Sequence, residues 1–221
     1  MIDHLLSVIA PHLCCGCGEI GTLLCDNCKY DIVNDVVKVC VQCGTPSGEN
    51  NVCSSCETPY VRAWCVGERS GVLQRLIGDF KFQNMYAAHV PLVDLLDQVI
   101  DQLPKDTIIV PVPTVPSHVR ERGYDHTLLL GKRLAKRRGV RMQHVISRTT
   151  VTKQRDASRS QRIAQAKVAF KVKTPIDEAA PYLLIDDVVT TGATIKYASL
   201  ALREAGAKEV WVAVIARQPI D

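Results

Sequence analysis

The sequence predicts an α/β fold, a parallel sheet flanked by helices, preceded by a small cysteine-rich module. Three observations carry this expectation. Short apolar runs of strand length, 107–112, 182–185 and 210–215, alternate with segments of helical periodicity. Nine of the ten cysteines fall between Cys14 and Cys56. No stretch approaches the roughly 20 uninterrupted apolar residues of a bilayer-spanning helix, so the 47% of apolar residues in this 221-residue chain should form core. Membrane insertion is excluded, and 23% charged residues is far from a disordered composition. The first apolar run stops at Pro11 and His12 without a basic leader, so the expected compartment is the cytoplasm.

The cysteine module comes first. Eight cysteines form four C-x-x-C pairs: Cys14/Cys17, Cys25/Cys28, Cys40/Cys43 and Cys53/Cys56. One pair lets two sulfurs reach a tetrahedral Zn2+, and two pairs close a site. Four pairs therefore read as two structural zinc sites, joined in sequence order or interleaved. A closed four-thiolate shell has no open position for a reacting water, so these ions should hold structure. Redox dithiols and an iron–sulfur cluster are the competing readings, and redox motifs seldom come four in a row. Cys15 reads as a neighbour outside the set or an exchange partner for Cys14, and Cys65 as a small buried apolar residue. The module is expected over 1–60 and a second domain over 61–221. No Gly/Ser linker separates them, so the two should touch.

Beyond the module, Val72, Leu73, Leu76 and Ile77 repeat at helical spacing, and Pro91 to Leu103 suggests a second helix. Thr107 to Val112 reads as a buried strand whose exit is punctuated by Pro111, Pro113 and Pro116. Leu128 to Arg138 reads as a helix with a basic outer face. Tyr182–Ile185 and Val210–Ile215 are apolar strands. Between them, Ala193 to Ala205 is helical, with Ile195, Ala198, Leu202 and Ala205 on one side and Gly206 as the stop.

Charge is unevenly spread behind a net +4. Residues 120–173 hold 16 Lys or Arg against 3 acidic residues, whereas residues 1–60 hold 2 Lys against 7 acidic residues. An acidic cysteine module weakens the inference from zinc ribbon to nucleic acid. The basic middle calls for an anionic partner or is a solvated face.

The chemistry sits after the Tyr182 strand, in Leu183-Leu184-Ile185-Asp186-Asp187-Val188-Val189-Thr190-Thr191-Gly192-Ala193-Thr194. A buried strand should deliver two adjacent carboxylates to its carboxyl end, where open α/β sheets bind ligands. The Thr-Thr-Gly-x-Thr loop then opens a helix. Its N–H groups, hydroxyls and helix dipole suit a phosphate, and Gly192 permits the turn. A phosphate and a diol one sugar ring apart describe a ribose 5-phosphate. The alternatives are ordinary strand-end caps and an ordinary helix start.

This run resembles the PRPP-binding motif of type I phosphoribosyltransferases. With the cysteine pairs added, nearly the whole chain resembles the ComF family of competence-associated proteins, a double zinc ribbon followed by a phosphoribosyltransferase domain. Further supporting runs are Cys40–Gly44, Leu76–Phe82 (LIGDFKF), Val110–Pro113, Arg120–Gly123, Gln154 with Arg159 and Arg162, and Ala169-Phe170. The resemblance implies a type I phosphoribosyltransferase-like sheet with PRPP as ligand and Mg2+ beside it. Asp186 and Asp187 would bind the ribose hydroxyls, and Thr190, Thr191, Gly192, Ala193 and Thr194 the 5-phosphate. Val112, Pro113 and Thr114 would form the pyrophosphate loop, with Arg120 and Arg122 as clamps. Asp186, Asp187 and Arg122 would carry catalysis, and Gln154 to Arg162 would close over the site.

One departure stands out. Family members commonly read Phe-Asn-Gln after the Arg-Gly, where this chain has Tyr124-Asp125-His126. Either Asp125 caps the next helix with His126 in its exposed first turn, or the exchange alters selectivity or activity.

Three functions follow. The first is transfer of a ribose 5-phosphate group to an unidentified acceptor with release of pyrophosphate, linked to DNA uptake. The second is a PRPP- or nucleotide-sensing scaffold that, as the family resemblance implies, binds a helicase and single-stranded DNA. The third is a nucleic-acid-binding protein using the ribbons and the basic middle.

Overall fold

The computed structural model describes residues 11–34, 38–149 and 169–219. In the cysteine module, helix α1 (Asp26–Asn34) carries Cys28. The chain enters the sheet through β1 (Arg62–Glu68), which leads to α2 (Gly71–Phe82) and α3 (His89–Val99). Then come β2 (Ile108–Pro111), α4 (Pro116–Arg122), α5 (His126–Arg138), β3 (Arg141–Met142) and β4 (Ile146–Arg148). The last elements are β5 (Phe170–Val172), β6 (Tyr182–Val189), α6 (Ala193–Glu204) and β7 (Val210–Arg217).

Five strands form one sheet in the order β1-β7-β6-β2-β3, every neighbouring pair parallel. Strands β4 and β5 pair antiparallel, apart from it. The central strands β6 and β7 are covered on both faces, which is why they read as continuous apolar runs rather than as alternation. On one face Leu183, Ile185, Ala213 and Ile215 pack with Leu76, Phe80, Leu92, Leu96 and Leu130 of α2, α3 and α5. On the other, Leu184, Val212 and Val214 pack with Ile195, Ala198 and Leu202 of α6. Burying each such side chain stabilises the fold by about 1.5–3 kcal/mol. The cysteine module enters both cores, through Leu23 and Leu24 on the first and Val41 and Tyr60 on the second.

Several boundaries differ from the sequence expectation. Strand β6 runs on to Val189, because Val188 and Val189 continue its ladder with Ala216 and Arg217 of β7. The acid pair therefore lies inside the strand rather than beyond its end. Helix α3 stops at Val99, where Ile100 turns extended. Pro116 does more than punctuate a strand exit: it opens α4, a position where its missing N–H costs nothing. Ala205 is exposed, one residue past α6.

The basic face of α5 is largely turned to α3. Arg137 reaches Asp94 at 2.7 Å and Asp97 at 2.5 Å, Arg138 also pairs with Asp97, and Arg133 approaches Asp94 at 3.8 Å. Part of the charge excess in the middle of the chain is thus neutralised within the fold. Among the described residues, no helix is long and apolar enough to cross a membrane.

Candidate active site and metal centres

The eight paired cysteines gather as two sets, Cys14, Cys17, Cys25 and Cys28, and Cys40, Cys43, Cys53 and Cys56, the ligand atoms of each within 4.8 Å of one another. Pairing is thus in sequence order. Sulfur separations of 3.7 Å (Cys17–Cys25), 3.5 Å (Cys43–Cys53) and 3.9 Å (Cys40–Cys56) fit the ~3.8 Å between ligands of a tetrahedral zinc with ~2.3 Å bonds. None of the ten cysteines is joined in a disulfide. Burial works against ionising Cys14, yet the N–H groups of Cys25, Cys17 and Gly16 bring its thiol down to about 6. In the same set, burial and the three neighbouring cysteines push Cys28 up to about 12. Four thiolates in so small a space need a cation, and the donor set suits a structural zinc in each site.

Cys15 stands outside the first set, with Sγ 3.6 Å from Asp79 Oδ2. Burial and the Asp79 charge push its thiol up to about 11. Cys65 is buried in the second core, as expected of a small apolar residue.

Asp186 and Asp187 are 8% and 3% exposed. The Asp187 N–H donates to Asp186 Oδ1 at 2.9 Å, and the Val188 N–H to Asp187 Oδ1 at 2.6 Å. Two further groups converge on Asp187 Oδ2, Lys81 Nζ at 2.6 Å and His126 Nε2 at 2.8 Å. The Lys81 contact is an ion pair and the His126 contact a close polar approach, and no aligned hydrogen bond saturates this buried oxygen. Burial alone would raise the Asp187 carboxyl, but His126 and Lys81 outweigh it and hold it well below the usual carboxylate range. Its neighbour goes the other way: burial, then the Asp187 charge, push Asp186 up to about 8. The two neighbouring carboxyls are thus pushed in opposite directions, as expected where adjacent acids share one buried site.

Arg122 closes a ring around this pair. Its Nη1 donates to His126 Nδ1 at 3.0 Å and its Nε to the Lys81 carbonyl at 2.9 Å. Arginine has donors only, so Nδ1 accepts and the imidazole proton lies on Nε2, facing Asp187. The expectation of an exposed His126 is corrected: it is 6% exposed and belongs to the site. Asp125 does cap α5, accepting from the Leu128 N–H at 3.2 Å and from Thr114 Oγ1 at 2.8 Å. This bond draws the turn after β2 onto α5. Val112 in that turn is buried, with its N–H donating to the Ile185 carbonyl at 2.9 Å and its carbonyl accepting from Thr127 at 2.7 Å.

The threonine loop follows directly. Thr190 and Thr191 are exposed, Gly192 is buried at φ +72° as the N-cap of α6, and Ala193 and Thr194 form the first turn. Asp186 and residues 188–195 line one small pocket. The acids, the loop, Val112 and Arg122 are thus drawn together at one end of the sheet. Pro113 is half-buried in the same turn, whereas Arg120 is exposed on α4. Among the described residues, Arg120 has no ion pair with the acids. The segment Gln154 to Arg162 lies outside the described residues.

Sequence reasoning gave no role to Lys81 or Arg148. Lys81 falls within the Leu76–Phe82 run that supports the family resemblance, but that run assigns it no role. Arg148, half-buried in β4 with its guanidinium 5.4 Å over the Phe170 ring, has its pKa lowered by burial against the opposing charge of Asp186. No local pattern in the sequence marks either as a neighbour of the acids.

Comparison with known proteins agrees with this arrangement. The phosphoribosyl transferase domain family matches residues 128–221. Competence protein F of Haemophilus influenzae is 30% identical over 209 residues, 88% of this chain and 90% of that protein. The DNA utilization protein YhgH of Salmonella typhi is 30% identical over 85% of this chain and 88% of its own length. Competence protein ComFC of Bacillus subtilis is 24% identical over 83% and 79%. With two four-cysteine sites ahead of a parallel sheet that carries the acid pair and threonine loop, the chain belongs to the ComF family.

Proposed function

We propose that the chain binds PRPP and transfers its ribose 5-phosphate group to an acceptor, releasing pyrophosphate, in support of DNA uptake or processing. The observation that carries this reading is the single pocket lined by Asp186 and residues 188–195. It joins one buried acid, Asp186, as a partner for ribose hydroxyls to the N–H groups and hydroxyls of a helix start, where the positive end of the dipole favours a phosphate.

In this reading Asp186 and Asp187 hold the ribose, Thr190 to Thr194 hold the 5-phosphate, and the Val112–Thr114 turn borders the pyrophosphate. Arg122 orients His126 and, with Lys81, keeps positive charge beside the leaving group. Arg120 sits on α4 within the same end of the fold and adds a second cation for phosphate oxygens. Catalysis then rests on positioning and charge rather than on a protein nucleophile. The two acids offer oxygen donors that suit Mg2+ held partly through water, which would neutralise pyrophosphate as it departs. Each four-cysteine site holds one structural zinc.

The names of the relatives bring DNA into the reading. A scaffold form would sense PRPP and dock a helicase and single-stranded DNA. Because Arg133, Arg137 and Arg138 already face Asp94 and Asp97, that helix face has less free charge for a phosphate backbone than the sequence suggests. This favours the transferase.

Titration calorimetry with PRPP and Mg2+ tests the proposal. Wild type should bind in the micromolar range, and Asp186→Asn/Asp187→Asn should not. Pyrophosphate release can then be screened against acceptors. A folded, metal-loaded wild type that fails to bind would overturn the reading.

A further inference from the structure

The turn between the first two cysteines of the second cluster reaches the threonine loop. Gln42 Nε2 donates to the Thr191 carbonyl at 3.1 Å, and Tyr60 Oη approaches Gln42 Oε1 at 3.5 Å. A Cβ on Gly192 would lie 2.3 Å from Gln42 Oε1 and 2.4 Å from Nε2. The carboxamide therefore packs on the loop's glycine, in the space any other side chain there would occupy.

A second tie comes from the end of β7. Arg217, 3% exposed, donates through Nε to the Val41 carbonyl at 3.2 Å and through Nη1 to the Gln218 carbonyl at 3.1 Å. A Cβ on Gly44 would lie 2.7 Å from its guanidinium. Arg217 pairs with Val189 across the sheet, and the Gln218 N–H donates to the Val189 carbonyl at 2.7 Å. Val189 directly precedes Thr190. The entry to the threonine loop at Val189 and its Thr191–Gly192 turn are thus held by groups that touch the Cys40–Gly44 turn.

We propose that Gln42 is a positioning residue for the threonine loop, and that through it and Arg217 the second four-cysteine site is coupled to phosphate binding. A metal in that site fixes the Cys40–Gly44 turn, where the Gly44 N–H donates to the Cys40 carbonyl at 2.7 Å. The coupling is reciprocal: an intact site tightens phosphate binding, and a bound phosphate ester slows metal loss. The ligand in this statement rests on the PRPP reading, whereas the brace itself does not.

Four proteins test it: wild type, Gln42→Ala, Gln42→Met, which keeps bulk without the donor, and Lys29→Ala on the first cluster's helix as control. Amide hydrogen exchange over residues 190–196 is read without ligand, together with metal content and PRPP titration in Mg2+. Gln42→Ala should keep both metals, exchange the loop about fivefold faster and bind PRPP about fivefold more weakly, the change expected for one neutral hydrogen bond. Gln42→Met should show the same loosening with its metals in place, and Lys29→Ala should match wild type. In wild type, PRPP should slow chelator-driven release from the second site. Unchanged loop exchange in Gln42→Ala would overturn the brace. Loosening in Gln42→Ala with no PRPP binding by wild type would uphold the brace and sink the PRPP reading.

Discussion

Replacing Asp186 by asparagine should flatten the pH dependence of stability between pH 5 and 8. In the fold the Asp186 carboxyl is pushed up to about 8 by burial and by the Asp187 charge, whereas an unfolded aspartate titrates near ~3.9. Across this window the folded chain keeps a proton that the unfolded chain has released. Stability from that proton is full below about pH 3.9 and is lost as the pH rises towards 8. The slope is at most about 1.4 kcal/mol per pH unit, or about 4 kcal/mol over three units. Asp187 stays silent here. Its carboxyl lies below the usual range, so it is ionised in both states, and its contribution is lost only as the pH falls below ~4. Asparagine keeps the acceptor that the Asp187 N–H now meets at 2.9 Å and removes the titration. Urea denaturation of metal-loaded wild type and variant at pH 5, 6, 7 and 8 reads the difference, in which other titrating groups cancel. The gap should widen in favour of the variant as the pH rises, by up to about 4 kcal/mol. A gap independent of pH would refute a protonated Asp186 in the ligand-free fold.

Three shorter predictions concern other parts of the molecule. Gly192→Ala puts a Cβ at φ +72° and 2.3 Å from Gln42 Oε1, so denaturant melts should show a loss of about 2 kcal/mol or more from the left-handed backbone and the displaced carboxamide. Elemental analysis should find two zincs per chain, one for each four-cysteine set; iron, or no metal, would contradict the structural-zinc assignment. Arg122→Ala should weaken PRPP binding more than Lys136→Ala, because Arg122 holds His126 and the Lys81 carbonyl while Lys136 is exposed on α5; equal effects by calorimetry would remove Arg122 from the site.

Legibility in the sequence followed the range of the interactions. The strands 182–185 and 210–215 and the helix after Gly192 were readable, because burial on two faces and a helix bounded by Gly192 and Gly206 leave local composition signals. The four C-x-x-C pairs announced two four-thiolate sites, but their pairing order required the fold. Strand β1 escaped notice because its apolar stretch, Ala63 to Val66, is only four residues long at the module's edge. The site was readable where it is contiguous, from Asp186 to Thr194. It was not readable where it is assembled from afar: Lys81 comes from α2, Arg148 from β4 and Gln42 from a cysteine turn. His126 was misjudged because helix position alone suggested exposure, whereas the packing of α5 against the sheet turns it to Asp187.

The most direct test is backbone amide shift mapping of the metal-loaded protein with ribose 5-phosphate, the part of PRPP that the acids and threonine loop would hold. The largest shifts should fall at the amides of Thr190 to Lys196 and beside Asp186 and Asp187. Shifts concentrated instead on the cysteine module or the arginines of α5, or none at saturating ligand, would contradict the PRPP reading.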